Sequence, residues 1–356
     1  MGRIPAAVVG ATGNIGQRLV GLLQDHPYFQ LEVLCASSRN SGRTLGELWR
    51  QDDMALRDDM ASATLSPIDA AVLARKGVVV AFSALPSEVA KGVEAQMADL
   101  GIRVFSDASS HRMDPDVPTL VPEVNAEHLD LVKAQGSRFA GGGFIVTNPN
   151  CSIAGLTLPL KALQGRYTFT QVLVSTYQAV SGAGYPGVPS LDILGNAIPY
   201  IDGEEEKMKA EAKKILGTLK GDRIVDAALE VEANCVRVPV RDGHLEAVAV
   251  VMPEEIDAAE AAVTMASYRG VPQRKRLPTA PEDPIIVRRE PNRPQPLMDA
   301  MAGSPPRARG MAVTVGRVRA TGRLLKFFVL SHNTLRGGAG GSVLSAELAH
   351  ALGYLR

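Results

Sequence analysis

The chain has 356 residues, 46% hydrophobic and 21% charged, with a formal net charge of zero; that length accommodates two domains, and the balanced charge argues against a nucleic-acid partner, which needs a basic surplus. No apolar run reaches the ~20 residues of a membrane span, and the N-terminal MGRIPAAVVG lacks the separate regions of a signal peptide. Three cysteines, Cys35, Cys151 and Cys235, are too few and too scattered for a disulfide framework or a zinc site, so a reducing cytoplasmic setting without a metal is expected.

The run from Ile4 to Val9 predicts a buried parallel strand. From Asn14 the pattern turns helical, with Ile15, Leu19, Leu22 and Leu23 on one face and an end near His26-Pro27. Further strands are expected at Leu31 to Ala36, Val78 to Ala81 and Ile102 to Phe105, with a helix from Pro86 to about Asp99. This alternation implies a doubly wound, Rossmann-type parallel sheet. The segment from Ser41 to Pro67 gives no clear pattern.

Beyond Cys151, strands at Phe169 to Tyr177, Glu230 to Val238, Leu245 to Val251, Met311 to Val318 and Leu324 to Leu330 suggest a second sheet, mixed or antiparallel. Asp242-Gly243 reads as a tight turn between two of them. Pro272 to Pro306 is rich in Pro and Arg and reads as a long surface loop. Arg288, Arg289, Arg293, Arg307 and Arg309 read as solvated surface. The chain closes with a glycine-rich stretch at 337–341 and a helix to about Leu352. The expected fold class is α/β: a dinucleotide-binding domain over 1–150 (plus 336–356) and an α/β catalytic and dimerisation domain with a mixed sheet over 151–335. The last helix is expected to return to the first domain.

Two local strings carry chemistry. Gly10-Ala11-Thr12-Gly13-Asn14-Ile15-Gly16 stands between a strand and a helix. Its glycines allow a tight turn and close approach of a pyrophosphate, which the helix start would meet with free N–H groups. The next strand ends in Cys35-Ala36-Ser37-Ser38-Arg39, with no acid for a ribose 2′-hydroxyl. Hydroxyls and an arginine suit a 2′-phosphate, so NADP is preferred over NAD. In the second string, Thr147-Asn148-Pro149-Asn150-Cys151-Ser152, a strand runs into a helix that starts at or just after Cys151. That position is expected to lower the thiol pKa and to offer N–H groups to a developing oxyanion. A thiolate there can attack an aldehyde, and the thioester left after hydride loss can be cleaved by phosphate. Cys35 and Cys235 lie within strand patterns and read as buried apolar residues.

In these strings the chain resembles the aspartate-semialdehyde dehydrogenases of the branch found in archaea, fungi and some bacteria. The resemblance spans almost the whole chain: GATGNIG, CASSRNSGR, SSHRMDPDVPTLVPEVN, TNPNCS, YQAVSGAGYPGVPSLDILGNAIPYI, GEEEKM, RVPVRDGH and NTLRGGAGGS stand in the family's order. It implies that Cys151 is the acyl-thioester nucleophile and His244 the acid/base. It further implies that Arg237 grips the substrate α-carboxylate and that Gln178 positions the substrate. Glu204 and Lys207 would form an acid–base pair near the substrate amino group and phosphate, and Arg112 would bind phosphate. Ser181, Gly182 and Asn333 match contacts to the cofactor, beside Gly10, Thr12, Gly13, Asn14, Ile15, Ser38 and Arg39. Asp107 departs from the family, which often has Asn there. The implied reaction is reversible, NADPH-dependent reduction of aspartyl phosphate to the semialdehyde plus inorganic phosphate, by a homodimer or homotetramer. Rival readings are a malonyl-CoA or succinyl-CoA reductase, an N-acetyl-glutamyl-phosphate reductase, and a non-catalytic dinucleotide-binding homologue.

Overall fold

The structure, a computed structural model, describes residues 2–355. β1 (Ile4–Val9) shows why a continuous apolar run makes a central strand. Ala6 and Val8 point into a core with Leu19, Val20 and Leu23 of helix α1 (Asn14–Leu23), while Ala7 and Val9 point into the opposite core with Leu73, Ala90 and Met97. A strand covered on both faces must be apolar at every position. Around it lie β2 (Phe29–Ala36), β3 (Ser66–Pro67), β4 (Val80–Ser83), β5 (Arg103–Ser106) and β6 (Phe144–Thr147), in the order β3-β2-β1-β4-β5-β6 and all parallel. Helix α2 (Ser87–Asp99) connects β4 to β5.

The second sheet is mixed, as the strand pattern predicts. It contains β7 (Gln171–Gln178), β10 (Glu230–Arg237), β11 (His244–Val251), β12 (Ile285–Arg288), β13 (Val313–Thr321) and β14 (Leu324–Ser331), in the order β10-β7-β11-β14-β13-β12. A short hairpin, β8 (Thr218–Lys220) and β9 (Arg223–Val225), stands apart. Alternate residues of β7 and β11, such as Val172, Val174, Val248 and Val250, pack with Ile153, Leu156 and Leu160 of helix α3 (Cys151–Gln164). Leu173 and Tyr177 lie exposed on the other face. Helix α4 (Glu204–Ile215) packs against β10 and α3, and α5 (Ala258–Ala266) against β12 and β13.

The final helix, α6 (Gly340–Ala351), inserts Val343, Leu344, Ala346 and Leu348 into the first core beside α1. Its Glu347 is fully buried and bonds to His26 Nε2 at 2.8 Å and to the Thr279 N–H at 3.0 Å.

Two expectations fail here for reasons of tertiary packing. Pro272 to Pro306 is not a surface loop: it contains a helix (Val271–Lys275), β12 paired in parallel with β13, and another short helix (Pro296–Asp299). Its Leu277 and Ala280 enter the first core, and Arg293 is not solvated but ion-paired with Asp299. The prolines fall at helix starts and between elements, where no backbone N–H is missed. Nor is Asp242-Gly243 a hairpin turn, because β7 lies between β10 and β11 and the connection must cross it. Its glycine is still required, with φ of +98°.

Candidate active site

β6 leads through Asn148-Pro149-Asn150 into α3, whose first residue is Cys151. The Asn150 side chain caps this helix, its Oδ1 accepting the Ser152 N–H at 2.9 Å. The sulfur lies 3.2 Å from His244 Nε2, at the start of β11. His244 Nδ1 accepts the Ala179 N–H at 3.0 Å, which leaves the proton of the neutral ring on Nε2, facing the sulfur. Two glycines allow this packing. A Cβ at Gly337 would sit 2.7 Å from Cys151 Cα, and one at Gly182 would sit 3.1 Å from His244 Cε1.

The expectation of a lowered thiol pKa is overturned. Burial pushes the Cys151 thiol up to about 12, and the Glu204 charge adds to the rise, against the opposing pull of Arg112 and Arg237. Burial, with the charges of Arg237 and His332, drives His244 down to about 3. Desolvation draws both partners toward their neutral forms against the helix dipole, although Cys151 is only half-buried and lines the cleft.

The residues matched to substrate roles gather on one side of the sulfur. Gln178 ends β7 and Arg237 ends β10, opposite each other in register. Gln178 Nε2 donates to Glu204 Oε1 at 2.9 Å, and Arg237 Nη1 donates to the Ala179 carbonyl at 2.8 Å. Glu204 opens α4, and Lys207 follows one turn later on the cleft wall. Glu204 therefore bonds to Gln178, and the expected pair with Lys207 is not formed. Among the described residues no carboxylate is ion-paired with Arg237 or Lys207, so both cations are available to an anionic ligand.

Arg112 also lines the cleft, but its guanidinium is largely committed. Nε donates to the Asn148 carbonyl at 2.8 Å, Nη2 to the Asp107 carbonyl at 2.9 Å and Nη1 to Glu211 Oε1 at 3.1 Å. Asp107, the family departure, is half-buried on the cleft wall, with both carboxylate oxygens out of solvent and neither at hydrogen-bond geometry to a described residue. Burial raises its pKa to about 7, while Ser342, the Arg112 charge and Asn148 pull it down and Glu94 adds to the rise. Glu246, two residues along β11 from His244, is a buried acid without a partner among the described residues, and burial raises its pKa well above the ordinary value. Sequence reasoning missed Glu211 and Glu246; their burial depends on segments far away in the chain.

A cleft of about 580 Å³ joins this group to the glycine turn, running from Ala84 and Pro86 past Gly13, Asn14 and Ile15 to Cys151, Arg237 and Asn333. At the turn, a Cβ on Gly16 would lie 2.0 Å from the Gly10 carbonyl oxygen, and one on Gly10 would lie 2.7 Å from the Ala84 carbonyl. No side chain caps α1 at Gly13, so the helix start faces the cleft with open N–H groups. Ser181 and Gly182 line the cleft, and Asn333 ties Ser181 to the His244 turn: Nδ2 donates to Ser181 Oγ and Oδ1 accepts the Gly243 N–H, each at 2.8 Å. Thr12 lines an adjoining hollow and accepts from Asn40 Nδ2 at 3.4 Å, while Ser38 and Arg39 stand exposed at the end of β2.

Models of two families match the chain: "Semialdehyde dehydrogenase, NAD binding domain" over residues 5–132 and "Semialdehyde dehydrogenase, dimerisation domain" over residues 160–336. An aspartate-semialdehyde dehydrogenase of Methanothermobacter thermautotrophicus is 46% identical, covering 98% of this chain and 99% of its own. An NADP-dependent malonyl-CoA reductase of Metallosphaera sedula is 39% identical, covering 99% and 98%. Among solved structures, aspartate semialdehyde dehydrogenase from Candida albicans, determined with NADP, superposes with a TM-score of 0.86 at 34% identity, over 98% of this chain and 99% of that one. With the thiol and the glycine turn in one cleft, the His244 imidazole buried against the thiol, and these matches along its whole length, the chain belongs to the semialdehyde dehydrogenase family.

Proposed function

We propose that this protein is an aspartate-β-semialdehyde dehydrogenase, which reversibly reduces L-4-aspartyl phosphate to L-aspartate 4-semialdehyde and phosphate with NADPH. The observation that carries the reading is the Cys151–His244 contact, at one end of a cleft whose other end is the open start of α1. The relatives in archaea and fungi support the substrate. The setting is cytoplasmic amino-acid biosynthesis leading to lysine, threonine and methionine.

NADP fits the groove, because the glycine turn provides a cradle that any Cβ would fill and the α1 start leaves its N–H groups to a pyrophosphate. Gly10, Gly13, Asn14 and Ile15 would hold the phosphates, Thr12, Ser38 and Arg39 the adenosine end, and Ser181, Gly182 and Asn333 the nicotinamide end. The cofactor, when bound, delivers or accepts a hydride at the acyl carbon.

Arg237 holds the substrate α-carboxylate, Gln178 and Glu204 fix its amino end, and Lys207 and Arg112 face the phosphate. Cys151 attacks the acyl carbon; the carbon–oxygen bond to phosphate breaks, and the thiol proton leaves with the phosphate or to solvent. At the thioester, His244 would act as the acid, its Nε2–H sharing the proton with the oxygen that develops negative charge on reduction. As the carbon–sulfur bond breaks, that proton settles back on Nε2 and the aldehyde is released with a Cys151 thiolate, which takes a proton from solvent to regenerate the thiol. The second sheet, with Leu173 and Tyr177 exposed on its outer face, provides the surface for a homodimer.

The test is NADP reduction by aspartate semialdehyde, with and without phosphate, beside Cys151→Ala. Phosphate-dependent turnover that disappears in the variant is expected. Silence with this substrate, but consumption of NADPH with malonyl-CoA or succinyl-CoA, would transfer the chemistry to an acyl-CoA reductase, a reading that the Metallosphaera relative keeps in view.

A further inference from the structure

Glu211 lies two turns beyond Glu204 on α4 and is buried. Both of its carboxylate oxygens are engaged, by segments distant from each other in the chain. Oε1 accepts from Arg112 Nη1 at 3.1 Å, and Oε2 accepts the Asn150 backbone N–H at 2.6 Å. Asn150 is the capping residue next to Cys151, so one oxygen of Glu211 holds the turn that presents the thiol. Arg112, held by the other oxygen, clamps the residues that follow β5 and β6 through its bonds to Asp107 and Asn148. The helix that carries Glu211 also carries Glu204 and Lys207, at the substrate end of the cleft. A single carboxylate thus joins the nucleophile turn, the Arg112 clamp and the substrate helix.

We propose that Glu211 is a positioning residue for the reaction: it fixes Cys151 and Arg112 relative to α4 and supplies the counter-charge of Arg112. Glu211 does not line the cleft, so it acts through these partners and touches no substrate. Charge-assisted bonds to a buried carboxylate are the strong class of hydrogen bond, and both are directional. A glutamine cannot replace it, because its amide group would bring an N–H against either the Arg112 guanidinium or the Asn150 N–H. Loss of the negative charge leaves Arg112 uncompensated, and Arg112 is one of the groups that favour a Cys151 thiolate. The variant should therefore have a more readily ionised thiol and yet a slower enzyme; looser packing would hydrate the thiol to the same effect, so Glu211→Asp, which keeps the charge, is measured beside it and should hold the parental midpoint.

The proposal rests on the dehydrogenase reading for its kinetic half only. The experiment follows iodoacetamide alkylation of Cys151 against pH, by peptide mass spectrometry, together with steady-state turnover. It compares the parent, Glu211→Gln, Glu211→Asp and Glu347→Gln, the last of which removes a buried carboxylate held by His26 and Thr279. Expected for Glu211→Gln is an alkylation midpoint moved to lower pH and a kcat reduced about a hundredfold, the scale of a misplacement near 1 Å. Glu347→Gln should melt earlier and keep the parent alkylation curve. A parental curve and parental kcat in Glu211→Gln would overturn the proposal, and so would the same two changes in Glu347→Gln. Should Glu211→Gln not fold, Glu211→Asp, which keeps the charge on a shorter stem, should keep the alkylation midpoint and lose turnover; parental turnover there would sink the idea. If the parent does not oxidise the semialdehyde, the functional reading fails, and alkylation, which needs no substrate, still decides the role of Glu211.

Discussion

Helices α1 and α3 both follow a parallel strand of the first sheet, and both begin in the same cleft, but they are finished differently. The α1 start has a glycine at its cap position, no side-chain bond to its N–H groups and an exposed approach. The α3 start is capped by Asn150, braced by Glu211 and covered by Gly337. The open start can take its negative charge from a ligand. The closed start carries a thiol whose pKa rises to about 12 although it sits at the positive end of a helix. A helix start is therefore not an activating environment on its own. Its dipole acts over the first turn and contributes on the order of 1 kcal/mol, less than removal of a thiolate from water.

The largest test of this contrast is Gly16→Ala. The new Cβ would lie 2.0 Å from the Gly10 carbonyl oxygen, and backbone cannot move aside as a side-chain tip can. NADPH binding, followed by fluorescence titration, should weaken about a hundredfold, equivalent to ~2.7 kcal/mol. Cys151 alkylation should stay at the parental rate, because the α3 start is built independently. Parental NADPH affinity would show that the α1 start is not the phosphate seat, and the contrast would collapse.

Gly182→Ala probes the closed side more gently. Its Cβ would lie 2.9 Å from Arg237 Nη1 and 3.1 Å from His244 Cε1. The guanidinium is the end of a long side chain and gives way first, so the loss should fall mainly on KM for the semialdehyde. A decrease in kcat/KM of about tenfold, or ~1.4 kcal/mol, is expected. A fall in kcat alone would mean that His244 moves in its place.

The same contrast separates what could be read in the sequence from what could not. The glycine turn and the Asn-Cys string are local: strand, turn and helix start lie within about ten residues, and each residue type has a steric or chemical reason to be there. His244, Gln178 and Arg237 were placed by resemblance, and the sheet order brings their strand ends together. Three kinds of information lay elsewhere. The burial of Pro272 to Pro306 comes from contacts with the first core, which no local pattern contains. The thiol pKa comes from desolvation by segments as distant as Gly337. Glu211 was invisible because its partners, Arg112 and Asn150, lie far from it in the chain, and a glutamate on a charged helix looks like solvated surface. The glycines at 141–143 pack against the end of α2 in the same non-local way: a Cβ at Gly141 would meet the Asp99 carbonyl at 2.1 Å.

The smallest effect concerns Asp107, between the two helix starts. Its pKa is raised from 3.8 to about 7, first by burial and then by the Glu94 charge, with Ser342, Arg112 and Asn148 opposing. A raised folded-state value means that the native protein holds a proton that the unfolded chain releases. Stability contributed by Asp107 is therefore full below pH 3.8, declines as the pH rises toward about 7 and stays low above that. Asn has the same shape without the titration. The Tm of Asp107→Asn relative to the parent should thus increase steadily across that interval and level off above it, by several degrees at about pH 8. A Tm difference that does not change with pH would mean that the buried carboxyl is ionised in the native state, held by the Arg112 charge. In that case a permanent negative charge would sit beside Arg112, the proposed phosphate ligand, and Asp107→Asn should tighten phosphate binding at every pH.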